Sequence, residues 1–491
     1  MKKQIITRAV SLLLLAVMAI SFMTACKKEE NQDNQNPIDA TTEENPNIPA
    51  KDYDGYEFRF ICEPYGTDNA YSTKYMVAES EDGTVLNDAV YRRNSVLEQK
   101  YNIKISQNRV EDLVFTVRSQ VLSGMTEFDL IVGSATDLAN LARENALLDL
   151  NSIDRFDMTK SYWDSNAAEQ LKIGDKLFFT NCDLNVQEIA FVVYFNKYLI
   201  EEYGLESPYK LMENNEWTID KWAELVKSVS KDTQGDGLQT ELDVYGTLYE
   251  THNTRMMAYG VGIRATTNDA DGKPVVTLMD NKDKISSLYT KAKDVFGNTE
   301  VSWCINDMNK NDTHGYVDKF DYARSLFCQN LYLFHYEGTN IIHQFASMEK
   351  EFGIMPFPKF DSNQDSYYSM YPKLCAMVAL PNIADATWLE RTANIVEDMN
   401  YYSSIILEPA WYETLLARRY TRDSESEANL EVIKNGRVYD IGAYFDFGGI
   451  VSTVMGMDVR NSDNISRQYE RSKKMIQSSI DNIYSDFTKE K

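Results

Sequence analysis

The run from Asp232 to Asp243 sets oxygen donors at a spacing that suits a hard cation. Asp232, Gln234 and Asp236 stand at loop positions one, three and five, and Gly237 supplies the sharp turn at six. Leu238 offers its carbonyl at seven and Asp243 closes the loop at twelve. With Gln at three, and Asp where a bidentate Glu is usual at twelve, the pattern predicts a structural calcium site of modest affinity. Other chemistry is scarce. The chain has no Gly-x-Ser-x-Gly elbow, no His-Glu-x-x-His, no phosphate loop ending in Gly-Lys-Ser/Thr and no Gly-x-Gly-x-x-Gly. Its four histidines, His252, His314, His335 and His343, form no i,i+3 or i,i+4 pair and so no metal-binding helix face. A glycosidase pair of acids needs a separation in space of about 5–9.5 Å, which no linear spacing reveals. The expectation is a protein without catalytic residues or an organic cofactor.

The second reactive position is Cys26. Lys2, Lys3 and Arg8 precede an apolar run from Ala9 to Met23, and the small pair Thr24-Ala25 follows. That is the order of an export signal covering residues 1–25, too short an apolar run for a membrane span of ~20 residues. Met23-Thr24-Ala25-Cys26 resembles a bacterial lipobox, with Met where Leu is commoner, and predicts a lipid on the Cys26 thiol at the outer face of the cytoplasmic membrane. Residues 26–51, rich in Asn, Glu, Asp, Thr and Pro, read as a flexible tether. Of the remaining cysteines, Cys62, Cys182, Cys304, Cys328 and Cys375, no two stand two residues apart. Neither a disulfide framework nor a zinc site follows, and Cys62, Cys328 and Cys375 read as core residues.

The elements that must position these groups alternate short apolar runs with amphipathic stretches, the order of an α/β protein. Phe58–Cys62 reads as a first strand, a helix follows from Asn87, and Ile103 and Ile105 mark a second strand. Phe128–Val132 reads as a third strand, followed after Gly133-Ser134 by a helix capped by Asp137. Thr218 caps a helix carrying Trp222, Leu225 and Val226, and apolar residues from Ile465 to Phe487 recur at helical spacing. With 491 residues, 43% hydrophobic, the chain can bury sizeable cores. Its 50 basic against 75 acidic residues, net −25, exclude nucleic acid and anionic membranes as partners. Thirty-one Tyr and six Trp suit sugar faces as well as cores, the densest clusters being Tyr367-Tyr368, Trp411-Tyr412 and Tyr444–Phe447.

Several passages together resemble the bacterial extracellular solute-binding lipoproteins of the sugar-binding type. They are Phe128–Val132 with Leu138–Leu150, Ile173–Phe179, Tyr194-Phe195-Asn196-Lys197, Trp217–Trp222, Asp232–Gly246 and Phe352–Lys359. The resemblance implies a periplasmic-binding-protein-like type II fold, two α/β lobes hinged about a cleft. Lobe one would be 52–181 with 373–422, and lobe two 187–367 with 423–491. It implies a monomer that captures a sugar or oligosaccharide and hands it to ABC permease subunits. Capture of a peptide or other small solute, and a lipid-anchored glycoside hydrolase, are the alternatives. Cleft positions carried over by the resemblance are Glu63, Tyr65, Ser134, Thr136, Asp183, Asn185, Tyr249, Glu250, Glu337 and Tyr368.

Overall fold

The computed structural model describes residues 44–63, 76–185, 190–311, 313–411 and 424–488. Cys26, Tyr65 and the side chain of Asn185 lie outside them, as do the export signal and most of the tether. Pro46–Lys491 forms a single unit.

The first sheet begins with β1 (Tyr56–Cys62), whose Phe58, Phe60, Ile61 and Cys62 are all fully buried. A strand covered on both faces reads as such a nearly continuous apolar run. Helix α1 (Val85–Tyr101) ends where Asn102 turns left-handed at φ 45° and donates its N–H to the Glu98 carbonyl, sending the chain directly into β2 (Ile103–Arg109). Strands β1 and β2 pair in parallel from Tyr56 opposite Ile103 to Cys62 opposite Arg109. After α2 (Leu113–Ser123) comes β3 (Leu130–Ser134), parallel to β1, and then α3 (Ala135–Arg143).

Two details differ from the sequence reading. The third strand starts at Leu130, because the Asp129 carboxylate is taken by the Tyr56 hydroxyl at 2.6 Å, the Arg59 N–H at 2.9 Å and the Trp388 indole N–H at 2.9 Å. The cap of α3 is Ser134, whose Oγ accepts from the Asp137 N–H; Asp137 sits in the first turn and accepts the Ser134 hydroxyl at 2.7 Å. A reciprocal pair three residues apart satisfies two polar groups where a cap at Asp137 satisfies one.

The second sheet contains β4 (Phe191–Asn196), then, after α4 (Ile219–Lys227), β5 (Val244–Tyr249). Thr218 caps α4 by accepting from the Lys221 N–H, as its sequence position predicts. Next come α5 (Asn253–Gly260), α6 (Lys282–Phe296), β6 (Ser302–Cys304), α7 (Lys319–Cys328), β7 (Tyr332–Gly338) and β8 (Phe352–Met355). The order is β8–β4–β7–β5 with Ser230–Lys231 at the edge and β6 against β5. Strands β5 and β7 run parallel and β4 antiparallel to β7. The chain then returns to the first sheet as β9 (Ala376–Ala379), antiparallel to β3, giving β9–β3–β1–β2.

Helix α8 (Ala386–Tyr402) follows, and α9 (Ile465–Thr488) closes the chain, burying Ile465, Ile476, Ile480, Ile483 and Phe487 on one face. No disulfide joins the five described cysteines; Cys62 and Cys375 are buried, whereas Cys328 is only partly so. The aromatic clusters are largely core. Tyr367, Trp411, Tyr444 and Phe447 are buried, and the Tyr444 hydroxyl donates to the Tyr371 carbonyl. No described helix is long and apolar enough to cross a membrane.

Candidate functional site

Because β1 and β3 are parallel, they end together at Cys62 and Ser134; β5 and β7 likewise end together at Tyr249 and Gly338. Open α/β sheets place ligands outside such carboxyl edges, where side chains leave the ladder and helix N-termini begin. A cavity of about 280 Å3 lies beside the end of the second sheet. Phe191, Glu250, His252, Arg255, Phe320, Arg324 and Glu337 come to it from the β4, β5 and β7 side. Met370, Pro372, Lys373 and Leu374, in the segment returning to β9, form another part of its wall.

Glu250 and Glu337, both expected from the sequence, therefore meet here. The Glu337 carboxylate lies 3.6 Å from Arg324 Nε and 3.7 Å from His335 Nε2. Burial alone would raise its pKa; the His335 imidazole and the Arg324 guanidinium outweigh that and hold it below the ordinary carboxylate value. Glu250 goes the other way, pushed up to about 8 by burial and then by the Glu337 charge. Its carboxyl group is 3.5 Å from His252 Nδ1, and burial followed by the nearby Arg255 brings that imidazole down to about 4. Two acids in one site are thus separated into an anion and a neutral hydrogen-bond donor. Arg324 also donates to Asp321 at 2.6 Å and to Gln344 at 3.1 Å.

The other expected positions are distributed around this centre. Thr136 touches it indirectly, its N–H and hydroxyl both donating to the Lys373 carbonyl, at 3.2 and 3.3 Å. Ser134 serves the helix cap. Glu63 follows directly after β1 and shares a hydrogen bond with Asp137; burial, then Asp137, raises its pKa to about 7. Asp183 occupies the crossover, where burial raises it to about 6 against the pull of Lys434 and Arg437.

Two expected positions do not line this cavity. Tyr249 is core, stacked on Phe296 at 4.1 Å with its hydroxyl donating to the Phe296 carbonyl. Tyr368 carries the Arg264 guanidinium 4.9 Å above its ring and does not line the cavity. Sequence reading missed Phe191, His252, Arg255, Arg324 and Lys373. The one available signal was position, since Arg255 follows Glu250 by five residues and Lys373 sits at the return to β9.

In the predicted calcium loop, Asp232 accepts from the N–H groups of Gln234, Gly235 and Gly237, and Asp236 from that of Leu238. Gly235 and Gly237 take the positive φ this winding needs, 69° and 75°. Asp243 is buried at the loop base, binding the Thr233 and Thr240 N–H groups at 2.8 and 2.9 Å. The Leu238 side chain is exposed. Among the described residues no three acidic, histidine or cysteine side chains gather as a metal cage.

Two mixed sheets, a connecting segment that returns to the first, and a cavity at a sheet's carboxyl edge define a protein built to hold a small solute. The family model for bacterial extracellular solute-binding proteins matches residues 69–324, just over half of the chain. The chain belongs to that family, whose members are non-catalytic components of transporters. No curated protein matches the sequence. Among solved structures it is similar to the cyclic α-maltosyl-1,6-maltose binding protein of Arthrobacter globiformis, at 13% identity and TM-score 0.57, covering 87% of this chain and all of that one. The galacto-N-biose/lacto-N-biose I-binding protein of Bifidobacterium longum gives 12%, 0.56, and 88% and 98% coverage. An ABC substrate-binding protein of Listeria monocytogenes in complex with cycloalternan gives 14%, 0.51, and 89% and 100%. At these identities the likeness is one of fold.

Proposed function

We propose that the protein captures a sugar or oligosaccharide between two lobes, 52–181 with 373–422 and 187–367 with 423–491, and delivers it to an ABC importer by hinge closure. One observation carries the reading: the cavity sets the hydrogen-bonding groups Glu250, Glu337, Arg255 and Lys373 among the rings of Phe191 and Phe320. Hydroxyls need short donors and acceptors, and the apolar face of a pyranose needs a flat or apolar wall. The fold likeness to proteins solved with saccharides supports it. We also propose, from Met23-Thr24-Ala25-Cys26, that a lipid on Cys26 anchors the chain, and, from spacing alone, that Asp232, Gln234, Asp236, Leu238 and Asp243 can take calcium.

A thermal-shift screen of saccharides tests the main reading. A ligand at ~100 times its dissociation constant adds ~2.7 kcal/mol, and no shift with any saccharide refutes it. Palmitate labelling in the expressing bacterium, lost in Cys26→Ala, tests the anchor.

A further inference from the structure

The chain carries a formal charge of −25, but its cavity has the opposite sign. The charged lining is Arg255, Arg324 and Lys373 against Glu250 and Glu337. Arg324 is matched by Glu337 at 3.6 Å and Asp321 at 2.6 Å. Glu250, with its pKa raised by burial to about 8, is a neutral donor at pH 7, and His252 is uncharged there as well. Arg255 and Lys373 remain. Among the described residues neither side chain makes an ion pair or hydrogen bond, and Arg255 Nε is shut off from solvent with no partner. Both residues are only partly buried, yet a guanidinium Nε shut off from water without an acceptor is costly. Among the described residues, then, neither Arg255 nor Lys373 has a counter-ion of its own.

The two cations also stand on different parts of the wall. Arg255 is on α5, in the chain that leaves β5 of the second sheet. Lys373 is held beside the first sheet, its carbonyl accepting from both the N–H and the hydroxyl of Thr136 in the first turn of α3, which follows β3. One anionic group between them would be gripped from both sheets, and Phe191, Met256, Phe320 and Met370 supply an apolar surface for the rest of the ligand.

We propose that the solute is an acidic saccharide whose carboxylate or phosphate group seats between Arg255 and Lys373. This rests on the saccharide reading above and names its substrate class.

Calorimetric titration of the mature protein with uronate oligosaccharides, their carboxyl-reduced counterparts of the same linkage, and sugar phosphates tests it. Acidic forms should bind at least about tenfold tighter than reduced ones, as a charge-assisted pair removed from water requires. Arg255→Gln and Lys373→Met should each erase most of that preference, and Lys373→Arg should keep it; circular dichroism confirms that the variants fold. Phosphates outbinding uronates would assign the anion as phosphate. Equal binding of acidic and reduced forms, or a preference unchanged in both variants, overturns the proposal and leaves saccharide capture standing. If the folded protein binds no saccharide of either kind, both readings fall.

Discussion

Replacing Glu250 by Gln should stabilise the free protein, by an amount that grows with pH. Glu250 titrates near 8 in the folded chain against 4.5 for the unfolded group. An acid whose folded pKa is raised binds its proton more tightly in the native state, so stability is full below 4.5 and falls as pH rises through the window from 4.5 to about 8. At 1.36 kcal/mol per pH unit the loss is about 3 kcal/mol by pH 7 and about 5 kcal/mol above pH 8. Glutamine keeps the shape and a donor but has no charge to bury, so the variant avoids this loss. Unfolding entropy scales with length, and about 1 °C per kcal/mol applies to a body of this size, giving a variant Tm higher by about 3 °C at pH 7 and about 5 °C at pH 8.5. At pH 4.5 the two should melt together. The assay is a set of paired melting curves from pH 4.5 to 9; the other acids of this acidic chain move both proteins alike, so the difference isolates Glu250. Parallel curves across that range would refute the buried-acid argument. The same residue should be needed for ligand, so stability and affinity should move in opposite directions.

Three further outcomes follow from the packing and the loop. A Cβ at Gly246 would run into the Val226 backbone carbonyl, so Gly246→Ala should destabilise by about 2 kcal/mol or more, read from denaturant midpoints. Trp222→Phe leaves the buried Tyr336 hydroxyl without the indole N–H it accepts from at 2.7 Å and should cost about 1–3 kcal/mol, measured the same way. Calcium added to chelator-treated protein should raise Tm, and Asp243→Asn should reduce the rise; no rise in the parent refutes the loop as a calcium site.

Much of the framework could be read from the chain. Phe58–Cys62, the Thr218 cap and the Ile465–Phe487 face were legible because each is a local matter of spacing, propensity and one hydrogen bond. The ends of elements were less so. The third strand lost its first two residues to Asp129, whose partners Tyr56, Arg59 and Trp388 come from two distant segments. Tyr249 and Glu250 show the difficulty at the site itself. They are neighbours at a strand end, and successive side chains point to opposite sides; which of them faces the cavity depends on what packs against each. Phe296 claims Tyr249, and the cavity receives Glu250.

What the sequence determined by itself was the class: an α/β chain of 491 residues, acidic, led by an apolar segment ending at Cys26, and without a catalytic motif. Only the tertiary structure decided the site's charge. Arg255, Lys373 and Glu250 are unremarkable among 125 charged residues until folding sets them around one cavity and covers most of the Glu250 side chain. Solvation depends on neighbours brought from distant segments, such as Glu337 and Lys373 around Glu250, and no local pattern encodes it.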